Sequence, residues 1–117
     1  MNYEELMEKW ANREDISDDD EFNFLIDEIY IKIQQHKELD EYELRILNEG
    51  DCFDYNQKQL FEMERHGWVK YLYPILVGDD WYGAEVFYHD DRGTEYESQT
   101  LQRIEKKEIK VERWKYI

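Results

Sequence analysis

Residues 68–77 (WVKYLYPILV), the turn Gly78-Asp79-Asp80 and residues 81–89 (WYGAEVFYH) set the architecture of this chain. Both runs are short and rich in aromatic and β-branched residues, and turn-forming residues separate them. That is the pattern of two antiparallel strands joined by a hairpin. Pro74 lacks the N–H that a ladder uses, which predicts that the first strand lies toward a sheet edge. Downstream, Asp90-Asp91-Arg92-Gly93 reads as another turn leading into 94–101. Residues 109–116 (IKVERWKY) read as a last strand that closes an antiparallel meander, while 101–108 fit strand or helix equally.

Upstream of Gly67 the period changes from two to 3.6. Tyr3, Leu6, Met7 and Trp10 share one face of a helix over about 2–12. Phe22, Leu25, Ile26, Ile29, Tyr30 and Ile33 carry the same spacing through three further turns. Ser17 suits the N-cap of that second helix, and the acids of Asp18-Asp19-Asp20-Glu21 suit the positive end of its dipole. A third helix is predicted from Asp40. Asp40 and Glu43 have capping-box spacing, Leu39 and Leu44 fall at staple positions, and Gly50 is the stop. Asp54 and Gln57 repeat the capping pattern for a fourth helix, which Arg65-His66-Gly67 would close. The expected fold is therefore α+β in one domain, 1–117. About four helices in 1–66 pack on a three- to four-stranded antiparallel sheet in 67–117.

Thirty Asp and Glu against fifteen Lys and Arg leave a net charge of −15. Hydrophobic residues at 41% and aromatics at 16% are too many for a disordered acidic chain, so folding is expected. The charge is uneven. Residues 1–66 hold twenty acids and seven bases, 67–117 ten and eight, and the segment 101–117 is net positive. Such a field repels phosphate backbones and anionic membrane surfaces, and it steers basic surfaces inward. Direct nucleic-acid and membrane binding are thus excluded as expectations, and a basic protein is the expected partner. Acidity that serves only solubility is the bland alternative. A single cysteine, Cys52, fits a reducing compartment. No apolar run is long enough to span a membrane, and Met1-Asn2-Tyr3-Glu4-Glu5 lacks the start of a signal peptide, so the cytoplasm is expected.

Chemistry-bearing clusters are sparse. Asp79-Asp80 and Asp90-Asp91 could offer oxygens to a hard cation, but turns at the two ends of one strand place them roughly 25 Å apart. His36, His66 and His89 are scattered, and no zinc spacing is present. Asp51 disfavours a thiolate at Cys52, which reads as a small buried residue. Glu108-Ile109-Lys110 with Asp91 has the spacing of some metal-dependent nucleases, yet the acidic half opposes approach to phosphates. No phosphate loop, nucleophilic triad or dinucleotide fingerprint occurs. The expectation is a protein that is not an enzyme and needs no cofactor.

What remains is recognition. Asp19, Asp20, Asp27 and Glu28 lie with Ser17 and Gln35 on the second helix opposite Phe22 and Ile29, and Glu4, Glu5 and Glu8 lie on the first. Carboxylates three or four positions apart stand about 5–6 Å from one another, a spacing that can imitate a phosphate backbone. The alternative is an ordinary solvated face. In size, acidity, α+β patterning and lack of catalytic motifs, the chain resembles small acidic phage inhibitors of bacterial defence, including anti-CRISPR and DNA-mimic antirestriction proteins. The likeness covers the whole chain but no motif, so no family residue is carried over. It implies a non-enzymatic inhibitor in the bacterial host cytoplasm that occupies the basic groove of a nucleic-acid-binding protein, such as a CRISPR effector nuclease. Asp19, Asp20, Asp27 and Glu28 would supply one patch, and Asp79, Asp80, Asp90 and Asp91 a second. Three other readings stay open: an immunity protein against a basic toxin nuclease, a small metal-dependent nuclease using Asp91, Glu108 and Lys110, and a phage or plasmid accessory protein with no inhibitory role.

Overall fold

Asn2 starts the first helix, α1 (Tyr3–Ala11), by accepting the backbone N–H groups of Glu4 and Glu5 at 2.9 and 3.5 Å. This N-cap satisfies donors that a helix start otherwise leaves orphaned. The computed structural model describes residues 2–12, 19–63 and 66–105. Leu6 of α1 is buried, with Tyr3, Met7 and Trp10 packed around it as the spacing predicts. Helix α2 (Asp19–Gln34) buries Leu25, Ile29 and Ile33 almost completely. Each such side chain contributes about 1.5–3 kcal/mol relative to exposure. The Ser17 cap expected for α2 lies outside the described residues.

Helix α3 (Glu41–Glu49) has the complete capping box: the Glu43 N–H donates to Asp40, and the Asp40 N–H donates back to the Glu43 carboxylate. Both staple residues, Leu39 and Leu44, are fully buried. Gly50 is the C-cap but keeps a negative φ, and the left-handed residue is Asp51, at φ 54°. Asp51 and Cys52 donate their N–H groups to the carbonyls of Asn48 and Leu47, the bond pattern of a Schellman motif. Glycine at position 50 instead allows close packing against α2. A Cβ there would stand 2.6 Å from Ile26 Cδ1 of α2.

No fourth helix forms after Asp54. Its side chain does cap the next turn, accepting from the Asn56 N–H at 3.2 Å, but only a single 3-10 turn follows, Tyr55–Gln57. The chain then extends into strand β1 (Gln59–Met63), which pairs antiparallel with β2 (Trp68–Val77). Ladder bonds to β2 win over a second helical turn. The described residues thus hold three α-helices, and the sheet begins before residue 67, inside the half expected to be helical.

Strand β2 pairs along its whole length with β3 (Asp80–His89), from Trp68↔His89 to Val77↔Asp80. The hairpin loop is Gly78-Asp79, and Gly78 at φ 62° gives the positive φ that a type II′ turn needs first. On the far edge of β3, β4 (Gly93–Glu95) pairs with residues 87–89 and β5 (Gln102–Arg103) with 82–83. The strand expected over 94–101 is therefore short, and the last strand expected over 109–116 lies outside the described residues. Among the described residues the sheet has five strands, ordered β1-β2-β3-β4 with β5 beside β3.

β2 is an inner strand, not the edge that Pro74 suggested. Pro74 is tolerated because its carbonyl points away from β3, accepting the Asp54 N–H at 2.8 Å, so its nitrogen faces that side too. No β2–β3 ladder bond is lost. Ile75 and Val77 share a face with Tyr82, Ala84 and Val86, and the three helices pack on the Ile75–Ala84 part of that face. Between β4 and β5 the side chain of Gln99 serves as a ladder partner. Its Oε1 accepts the Glu85 N–H at 2.8 Å and its Nε2 donates to the Glu85 carbonyl at 2.7 Å. The Gln99 backbone exchanges two further bonds with Leu39, at 2.8 and 3.0 Å.

Candidate functional site

The acids expected to act together separate into distinct groups. Asp19 opens α2. Asp20 and Asp27 lie seven residues apart on the exposed side of α2, which also carries Asn23 and Ile31. Two helical turns place them about 10.5 Å apart along the axis, wider than the 5–6 Å of adjacent turns. Glu28 is half-buried and turned toward α1, where its charge reaches Tyr3. Closer carboxylate spacing occurs on α1, where Glu4, Glu5 and Glu8 are all exposed. Asp27, Glu4, Glu5 and Glu8 form no ion pair among the described residues.

The turn acids do not make one patch. Asp79 and Asp80 stand at the tip of the β2–β3 hairpin, and Asp90 and Asp91 at the other end of β3, about 30 Å away at 3.4 Å per residue. Asp80 is ion-paired with Arg103 at 2.8 Å, both side chains about half exposed. The Asp91 N–H donates to His89 Nδ1 at 3.0 Å, and His89 Nε2 meets the His66 carbonyl at 3.1 Å. A neutral imidazole protonated at Nε2 satisfies both bonds, so His89 ties the two turns at that end together. Among the described residues no three His, Cys, Asp or Glu side chains converge to hold a metal ion. Glu108 and Lys110 lie outside the described residues.

Among the described residues one carboxylate is buried. Glu43, 3% exposed, accepts from the Tyr3 hydroxyl, from Lys32 Nζ at 2.7 and 2.8 Å, and from the Asp40 N–H at 3.1 Å. Burial, and then the bond to Glu43, push the Tyr3 hydroxyl well above its ordinary pKa. These donors come from all three helices and fill the capacity of the carboxylate, leaving none for a substrate. Glu43 is a structural tie. Its capping role was legible in the sequence, but its burial was not.

A polar and aromatic concavity lies where the Schellman turn of α3 meets the β2–β3 hairpin. It is an open groove of about 560 Å³, lined by Tyr30 of α2, Asp51, Cys52, Asp54, Tyr55 and, from the hairpin, Trp81, with Phe53, Asn56 and Leu76 completing it. Tyr55 is 43% exposed, yet its ring sits edge-on to Tyr73 with centroids 5.2 Å apart, and Tyr73 stacks obliquely on buried Phe53. Packing therefore holds Tyr55 in place. Burial, and then the charge of Asp51, raise the Tyr55 hydroxyl pKa. Cys52 is half-buried here rather than fully buried as its size suggested, and burial is the main cause that raises its thiol pKa. The Tyr30 hydroxyl meets its sulfur and is itself raised, chiefly by burial. A protonated thiol beside a protonated phenol is a poor nucleophile. Asp54 accepts from the Asn56 N–H and the Gln57 side-chain amide, and neither Asp51 nor Asp54 forms an ion pair among the described residues.

The chain is thus an α+β protein with an antiparallel sheet, acids spread over its helices, and an acidic, aromatic groove. No protein-family model, curated protein or solved structure matches it. No helix among the described residues is long and apolar enough to cross a membrane. The groove was not anticipated from the sequence. Its available signal was the alternation of acids and aromatics in Asp51-Cys52-Phe53-Asp54-Tyr55, directly after the α3 stop.

Proposed function

We propose that this protein is a non-enzymatic acidic inhibitor that occupies the basic groove of a nucleic-acid-binding protein, of which a CRISPR effector nuclease is the type. The observation that carries the reading is the set of exposed carboxylates on the two packed helices α1 and α2. Glu4, Glu5, Glu8 and Asp27 face solvent without a cation of the chain's own among the described residues. Like charges at helical spacing cost an isolated helix about 0.2–0.5 kcal/mol per pair, so the arrangement works against stability. It favours attraction of a cationic surface, for which long-range charge sets encounter rate and salt dependence.

Titration of a basic nuclease with the protein tests this. Affinity should fall at least about tenfold between roughly 50 and 200 mM salt, as counterion release requires of a phosphate mimic. Asp20→Lys with Asp27→Lys should weaken binding further and flatten the salt slope. Affinity that is indifferent to both salt and the double substitution rules the mimicry out.

A further inference from the structure

Building on that reading, we infer that the groove between the α3 turn and the β2–β3 hairpin receives an arginine side chain of the basic partner. Three features of the groove match a guanidinium. Its lining includes aromatic residues from separate elements, Tyr30 on α2 and Tyr55 on the 3-10 turn, and Tyr55 is 43% exposed. A planar, weakly hydrated cation stacks on such rings more favourably than a compact ammonium does. The groove also carries two carboxylates, Asp51 and Asp54, with no ion pair of their own among the described residues. A guanidinium can offer paired N–H donors to a carboxylate. Finally, about 560 Å³ is pocket-sized, and exceeds what one side chain fills, leaving room for the partner's adjoining backbone.

The surroundings of Asp51 and Asp54 fit the same occupant. Asp51 holds the left-handed C′ position of a helix, where glycine is the common residue and an aspartate is tolerated at a cost. Its charge already bears on Tyr55 and Cys52. Asp54 is fixed by its bonds to Asn56 and Gln57, so it is oriented before any ligand arrives. An arginine bound here would neutralise acids that no cation among the described residues pairs with.

The test uses the intact chain, isotope-labelled and followed by amide NMR shifts, with three probes: N-acetyl-arginine methylamide, its citrulline counterpart and octa-arginine. Citrulline keeps the shape and removes the charge. The arginine derivative should shift the amides of 51–56 and of Trp81, and the citrulline derivative should not. Asp51→Asn with Asp54→Asn keeps both the left-handed residue and the cap while removing the charges. It should weaken octa-arginine binding about tenfold, the scale of two solvent-facing ion pairs. Tyr55→Leu should weaken it about threefold through the lost ring face. Glu4→Gln with Glu8→Gln, on α1 and outside the groove lining, should change the capped-arginine shifts by less than about twofold.

Octa-arginine binding unchanged by the Asp51/Asp54 variant, or shifts spread over α1 and α2 instead, overturns the groove assignment while leaving the acidic-inhibitor reading intact. Concentration-dependent shifts of the same amides without any probe assign the groove to a second copy of this chain, and equally overturn it. Failure of both octa-arginine and a basic nuclease to bind at low salt removes the inhibitor reading itself, and this inference with it.

Discussion

Replacing Glu43 with alanine should be strongly damaging although it removes no apolar side chain from the core. The substitution removes the acceptor of the Tyr3 hydroxyl, of both Lys32 contacts and of the Asp40 N–H. It therefore opens the capping box of α3 and leaves a lysine facing a cavity. Breaking a buried ion pair from one side costs about 3–5 kcal/mol. Lys32 is 28% exposed and can turn toward water, which places the expected loss near the lower bound, about 3 kcal/mol. A chain of 117 residues has a total stability of roughly 6–18 kcal/mol, so the variant should fold but melt roughly 10–15 °C lower. Urea unfolding followed by tryptophan fluorescence reads this as a lower midpoint at constant slope. Glu41→Ala is the control. It removes a 3.6 Å pair with Arg45 whose side chains are both 46% exposed, and should cost no more than about 0.5 kcal/mol. A loss below about 1 kcal/mol for Glu43→Ala would show that the three-helix tie is incidental.

Gln99→Leu should cost about 2 kcal/mol, because it leaves the N–H and carbonyl of Glu85 without their partners, and the Glu85 amide should lose hydrogen-exchange protection. Gly50→Ala should destabilise by no more than about 1 kcal/mol, since its Cβ has to push aside only the Cδ1 tip of Ile26; thermal melting measures it. The folded protein should lose stability above pH 10 as well. Tyr96 is raised to about 12, chiefly by burial, so its contribution is whole below the ordinary tyrosine value and disappears as pH rises through about 12. Tyr3 and Tyr30 are raised in the same direction, and phenolate absorbance should show all three ionising together with alkaline unfolding.

The helical spacing of α1 and α2, the Asp40–Glu43 box and the β2–β3 hairpin were legible because each is set by residues close together in sequence. The fourth helix was misread for the converse reason. Asp54 and Gln57 do make a genuine cap, but a cap specifies only where a turn begins. How far it continues depends on β2, which offers Gln59–Met63 a ladder. Pro74 likewise misled because its cost depends on which side its nitrogen faces, a property of the register rather than of the residue. The acidic character of the surface could be read from composition, while its division into the α2 stripe, the α1 cluster and the two ends of β3 could not. The groove joins residues from α2, the α3 turn and the hairpin, so only the assembled fold brings its rings and carboxylates together.

Ten-residue strands with an open edge are templates onto which a second molecule can add its own strand, the first step of sheet-mediated polymerisation. The outer edge of β3 offers no such window. β5 takes residues 82–83, the Gln99 amide takes Glu85 and β4 takes 87–89. A single glutamine side chain, spanning the gap between two very short strands, thereby closes one flank of the sheet to runaway self-association.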